Sequence, residues 1–152
     1  MTANYPIWLP SISLGVGMRR EFASQAAALY LDAQRAEFCT DPVGIHDYPK
    51  HLGDICGADV ADLGFKPMWG SALMLSTVGT DIHSDGNGPT MILVLANDGL
   101  RFQSRRARWP IPVGTRFIFD DRVEHAAIES RTSTMLLLAS VRLETIKEPL
   151  KY

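Results

Sequence analysis

The sequence predicts an α+β, mainly β fold: a double-sheet jelly-roll barrel with N-terminal helices packed on one of its sheets. Three observations carry this. From Trp69 onward, short apolar runs are separated at regular intervals by Gly, Pro, Asn and Asp clusters, the pattern of antiparallel barrels and sandwiches. Before that point, apolar residues recur at three- and four-residue spacing, which suits helices instead. The chain has 152 residues. That is one domain's worth, enough to bury about two-thirds of the surface its unfolded chain would expose.

The first helix is expected over Glu21–Phe38, where Phe22, Ala26, Leu29, Ala33 and Ala36 fall on one face. Thr40-Asp41-Pro42-Val43-Gly44 stops it. A weaker helix is expected from Pro49 to Val60, with Gly53 and Gly57 counting against it. Six strands are expected: Ala72–Val78, Thr90–Leu95, Leu100–Ser104, Thr115–Phe119, Val123–Ile128 and Ser133–Leu143. Asn97-Asp98-Gly99 and Val113-Gly114 mark turns. The expected partition is mainly helical support over residues 1–68 and a barrel over 69–145, in one domain without a linker.

Composition narrows the function classes. Hydrophobic residues make up 46% and charged residues 21%, and the net charge is −2. No global field recommends nucleic acid or an anionic membrane. Arg101, Arg105, Arg106 and Arg108 cluster beside Trp109, but such a run is more often a solvated surface, so a nucleic-acid partner is not favoured. Trp8, Trp69 and Trp109 read as packing residues. The N-terminus lacks a signal-peptide pattern, and no apolar run is long enough to span a bilayer. Cys39 and Cys56 form no metal-binding pair and read as two thiols in a reducing cytoplasm.

The chemistry-bearing residues are His83, Asp85 and His125. In His83-Ser84-Asp85, residues two apart in an extended chain project to the same side, so imidazole and carboxylate can reach one ion. His125 lies on a later strand among small and apolar neighbours. Taken alone, His83-Ser84-Asp85-Gly86-Asn87-Gly88 reads more readily as a turn. A lone His125 reads more readily as a satisfied buried histidine. Together, two imidazoles and one carboxylate form a facial triad with adjacent coordination positions open, the arrangement used by non-haem iron(II) oxygenases.

Over Leu73 to Arg142 the chain resembles the iron(II)/2-oxoglutarate-dependent dioxygenases, most closely their plant-type and prolyl-hydroxylase-like branches. The resemblance rests on His83-Ser84-Asp85, the strand Thr90–Leu95, Pro112-Val113-Gly114 before Thr115–Phe119, then His125, then Arg131-Thr132-Ser133 leading into Met135–Leu138. It implies a double-stranded β-helix, the cupin-like form of the jelly roll. It also implies iron(II) on His83, Asp85 and His125, with 2-oxoglutarate as co-substrate. Arg131 would pair with the far carboxylate of 2-oxoglutarate and Ser133 would add a hydrogen bond. Arg131 follows His125 by only six residues, a tighter step than the family pattern, so Arg142 is a second candidate anchor. Ser76 stands on the strand where the family often carries a tyrosine and would offer a hydroxyl to the cofactor. The implied activity is hydroxylation or oxidative demethylation of a small or macromolecular substrate. The alternative is a cupin-like metal- or ligand-binding module that does not use 2-oxoglutarate. The pocket could be completed by a second subunit or covered by the Tyr5–Leu14 segment.

Overall fold

The computed structural model describes residues 5–35, 44–128 and 135–146. Among the described residues, one long helix, α1 (Val16–Arg35), lies against a mainly β body of nine strands. These are β1 (Ile7–Leu9), β2 (Gly44–Asp47), β3 (Phe65–Thr77), β4 (Pro89–Ala96), β5 (Arg101–Ser104), β6 (Ala107–Pro110), β7 (Arg116–Asp120), β8 (His125–Ile128) and β9 (Leu136–Thr145). Six strands form one sheet in the order β1-β7-β4-β9-β3-β2, and three form a second in the order β6-β5-β8.

The second sheet gains a fourth chain segment. His83 forms an antiparallel bridge with His125, at the free side of β8. From β3 onward the chain therefore crosses repeatedly between the sheets, with β3, β4, β7 and β9 in one and the 83 segment, β5, β6 and β8 in the other. This is a jelly roll of the double-stranded β-helix type.

Burial explains why the strands sit where they do. β4 is buried from Thr90 to Ala96, because both of its faces are covered. Its continuous apolar run is what a doubly covered strand requires. On one face, Met91 and Leu93 join Phe22, Leu52, Met74 and Val141 in a core beneath α1. On the other, Ile92 joins Phe102, Phe117, Phe119 and Leu136 inside the barrel. The period-two alternation of side chains thus divides the protein into two hydrophobic layers on either side of one sheet.

The outer layer is tied by Arg116, whose side chain is almost wholly buried. Its Nε donates to the Pro10 carbonyl at 2.9 Å, Nη1 donates to the Ala58 carbonyl at 3.0 Å, and Nη2 meets Asp59 Oδ2 at 3.3 Å. Next to it, Gly114 adopts φ +91°, and a Cβ there would collide with the Ile12 carbonyl. Only glycine allows the N-terminal segment to come this close. The Asn97 turn forms as expected: its side chain accepts from Leu100 N and donates to the Leu100 and Ile111 carbonyls.

Several expectations need correction. The helix starts at Val16, five residues before Glu21, and its expected end at Phe38 lies outside the described residues. The weaker helix over 49–60 is instead a train of 3-10 turns, Lys50–Leu52, Ile55–Gly57 and Val60–Leu63. Gly53 at φ +55° and Asp59 at φ +74° break any continuous α-helix there. The N-terminal part is not purely helical, since β1 pairs with β7 and β2 with β3. Within Tyr5–Leu14, β1 is the edge strand of the large sheet, and Trp8 packs on Trp109 and Phe117. Cys56 is a free, buried thiol. Burial pushes its pKa up to about 12. Cys39 lies outside the described residues. Among the described residues, no helix is long and apolar enough to cross a membrane.

The Arg116 geometry makes an asymmetric prediction. Arg116→Ala strands two inward carbonyls and should cost about 3 kcal/mol, because a buried charged donor is lost from its partners. For a chain of this size that lowers the melting temperature by roughly 6–12 °C. Asp59→Asn removes the charge of a partner that is two-thirds exposed, keeps a side chain that tolerates φ +74°, and should change it by about 2 °C or less, as for surface ion pairs. Thermal denaturation of both variants followed by circular dichroism checks the contrast.

Candidate metal centre

The backbone sets the geometry of the site. His83 N donates to His125 O at 3.0 Å, and His125 N donates to His83 O at 2.8 Å. This reciprocal pair places the two residues directly opposite one another, with ring centroids 4.5 Å apart. The bridge is held on one side by Thr80, whose N donates to the Ala127 carbonyl and whose Oγ1 accepts from Ala127 N.

Asp85 completes the group. Its Oδ2 lies 3.7 Å from His83 Nε2 and 3.6 Å from His125 Nε2. Ligand atoms of all three residues fall within 4.8 Å of one another, a spacing that could hold a metal ion. His125 is buried, while His83 and Asp85 are partly open, so the group has a protein side and a solvent side.

The histidine tautomers suit a metal. His83 Nδ1 lies 2.7 Å from the Asp81 carbonyl, and His125 Nδ1 lies 2.8 Å from the Val123 carbonyl. A carbonyl oxygen only accepts, so in both rings Nδ1 carries the proton and donates it. Nε2 is then left with its lone pair toward Asp85. Orienting each ligand ring through its other nitrogen is what metal-binding histidines require. Burial also holds the His125 pKa below its ordinary value, against the opposing pull of the Val123 hydrogen bond. The neutral ring that a metal needs is thereby favoured.

Asp121 is a functional residue that the sequence analysis missed. Its buried carboxylate accepts from Asn87 N at 3.0 Å, Asn87 Nδ2 at 2.9 Å and Gly88 N at 2.6 Å. Its backbone carbonyl accepts from Asp85 N at 2.7 Å. One residue thus fastens the loop that carries Asp85 onto the turn that leads to His125. The available signal was an aspartate four residues before the second histidine, facing an Asn-Gly turn after the first.

The triad opens into a cavity of about 490 Å³ inside the barrel. Arg142, an exposed residue, lines it from the same side of β9 as Leu136, Leu138 and Ser140. Ser76 does not line it. The cavity takes Ser71, Leu73, Leu75 and Thr77 from β3, and Ser76 falls on the opposite face. There its hydroxyl pairs with His46 Nε2 at 2.8 Å. The expected cofactor hydroxyl is therefore engaged elsewhere. Arg131 and Ser133 lie outside the described residues. The arginine cluster is spread over the β5–β6 hairpin, with Arg105 and Arg106 exposed and Arg108 donating to Gln103.

No family model matches the sequence, and no curated relative matches it. Solved structures with some similarity include a 2OG-Fe(II) oxygenase family oxidoreductase from Burkholderia pseudomallei. It is 14% identical with a TM-score of 0.48, over 86% of this chain and 92% of that one. Another is an RmlC-like cupin protein from Desulfovibrio desulfuricans, 18% identical with a TM-score of 0.37, over 51% of this chain and 79% of that one.

If Asp121 positions the Asp85 loop, Asp121→Ala should weaken Co(II) binding by roughly 10–100-fold, the usual cost of losing a residue that orients a ligand. The circular dichroism spectrum should remain that of the parent. His83→Ala, Asp85→Ala and His125→Ala should each abolish the visible absorption of bound Co(II).

Proposed function

We propose that the chain is an iron(II)- and 2-oxoglutarate-dependent dioxygenase that hydroxylates or oxidatively demethylates an organic substrate. The observation that carries this reading is the triad itself. Two imidazoles present Nε2 lone pairs and one carboxylate stands opposite, at the mouth of a barrel cavity. Two histidines and one carboxylate with open positions are the donor set of mononuclear non-haem iron. Calcium and magnesium prefer all-oxygen sites.

When bound, iron(II) with 2-oxoglutarate and dioxygen supplies the oxidation. The chain's own residues bind, orient and shield. His83 and His125 hold the ion through Nε2, and Asp85 adds a negative charge that offsets part of the metal's. Asp121 keeps the Asp85 loop in place. Phe119, packed edge-on against His125 at a centroid distance of 4.8 Å, keeps water from the buried side of the ligand. A guanidinium is the natural anchor for the far carboxylate of 2-oxoglutarate, because it forks onto both oxygens. Arg131 is the first candidate for that role, and Arg142 the second.

Iron-dependent release of succinate from 2-oxoglutarate tests the reading. The parent protein should produce succinate, even slowly and without substrate, whereas His83→Ala, Asp85→Ala and His125→Ala should not. Succinate formation surviving all three substitutions would overturn the proposal. Titrating metal-loaded Arg131→Ala and Arg142→Ala with 2-oxoglutarate identifies the anchor. If neither variant loses affinity, a metal- or ligand-binding barrel that does not use 2-oxoglutarate replaces the oxygenase.

A further inference from the structure

The cavity beneath the triad has a composition that speaks to its occupant. Its inner wall is hydrocarbon: Leu73, Leu75, Ile92, Phe102, Phe117 and Phe119 line it. The phenylalanines form a contiguous patch. Phe102 lies 4.8 Å from Phe117 and 5.3 Å from Phe119, and Phe119 lies 4.8 Å from the His125 ring. The metal ligand is therefore part of an aromatic wall.

Most of the polar lining is already engaged. Thr77 Oγ1 bonds Gly79, Thr80 Oγ1 accepts from Ala127 N, and Thr90 Oγ1 donates to the Gly88 carbonyl. The Asp121 carboxylate is taken by Asn87 and Gly88. Arg142 is different. It is the one Lys or Arg lining the cavity among the described residues, and no described carboxylate pairs with its guanidinium. Its backbone N donates to Ser71 Oγ, which fixes the strand but leaves the side chain available.

Arg142 is exposed, so it can meet a charged group at the solvent side while the apolar lining takes the hydrocarbon part. A cavity of this size is in the range that encloses a compact organic molecule, with apolar walls giving affinity and a few polar groups giving orientation. We propose that the barrel interior is the substrate site for a compact aromatic or branched-aliphatic carboxylate. Its hydrocarbon part packs among Leu75, Phe102 and Phe119, and its carboxylate meets Arg142. The proposal deepens the oxygenase reading, since it rests on the triad as the place of reaction, and it assigns Arg142 to substrate and leaves Arg131 for the co-substrate.

The test uses the full chain with and without Zn(II), titrated calorimetrically with benzoate, cyclohexanecarboxylate, benzamide and succinate. Benzoate and cyclohexanecarboxylate should bind saturably and more tightly than succinate. Arg142→Gln should weaken both by roughly tenfold or more, as expected for losing a charge-assisted hydrogen bond, and should leave benzamide unchanged. Leu75→Trp, at a half-buried position, should fill the cavity and abolish their binding while Zn(II) affinity is retained. Succinate binding more tightly than benzoate, or benzoate affinity unmoved by both substitutions, would overturn the proposal. Zn(II) binding is scored separately. If the metal fails to bind while benzoate still does, the oxygenase reading falls and the apolar acid site stands.

Discussion

The two hydrogen bonds between His83 and His125 are the constraint on which the rest of the site depends. They do two things together. They close the smaller sheet by laying the residue-83 segment along β8, and they bring two imidazoles within 4.5 Å, tilted 56° to one another. Without that bridge, the residues before β4 would be a surface loop and His125 would be an ordinary strand histidine. Because strand side chains alternate, Asp85 then projects to the same side as His83. The donor set is thus a by-product of sheet closure, made final by the Nδ1 bonds to Asp81 and Val123.

The remaining features serve to keep that bridge true. Asp121 binds the far end of the loop, so that the segment is held at Thr80, at His83 and at residues 87–88. Phe102 and Phe119 pack against the buried ring from inside the barrel. On the opposite side of the large sheet, a second hydrophobic layer under α1 keeps that sheet rigid. The candidate site is built against the inner layer, through Phe102 and Phe119.

Much of this was legible in the sequence. The jelly-roll class followed from evenly spaced short strands. Four of the six expected strands match observed ones to within two residues, and Ser133–Leu143, whose expected start lies outside the described residues, overlaps β9. The sixth, Ala72–Val78, is the second half of a longer strand. The triad was legible because a His-x-Asp triplet and a strand histidine obey simple parity. Ser76 was misplaced for the same reason that parity works: one residue's shift moves a side chain to the other face. The edge strands β1, β2 and β6 were missed because runs of three or four residues are too short to carry a readable pattern. Asp121 was missed because its role is a long-range contact with Asn87 and Gly88, 34 and 33 residues away.

The two sheets differ in how firmly they are built. β3 and β9, the longest strands of the larger sheet, pair along nearly their full length beneath a buried core. The smaller sheet consists of four-residue strands and a bridge. Local opening in proteins begins where buried contacts and paired backbone are fewest. Here that place is the layer carrying His83, Asp85 and His125. Any local opening should therefore start on the thin side, while the thick side remains folded.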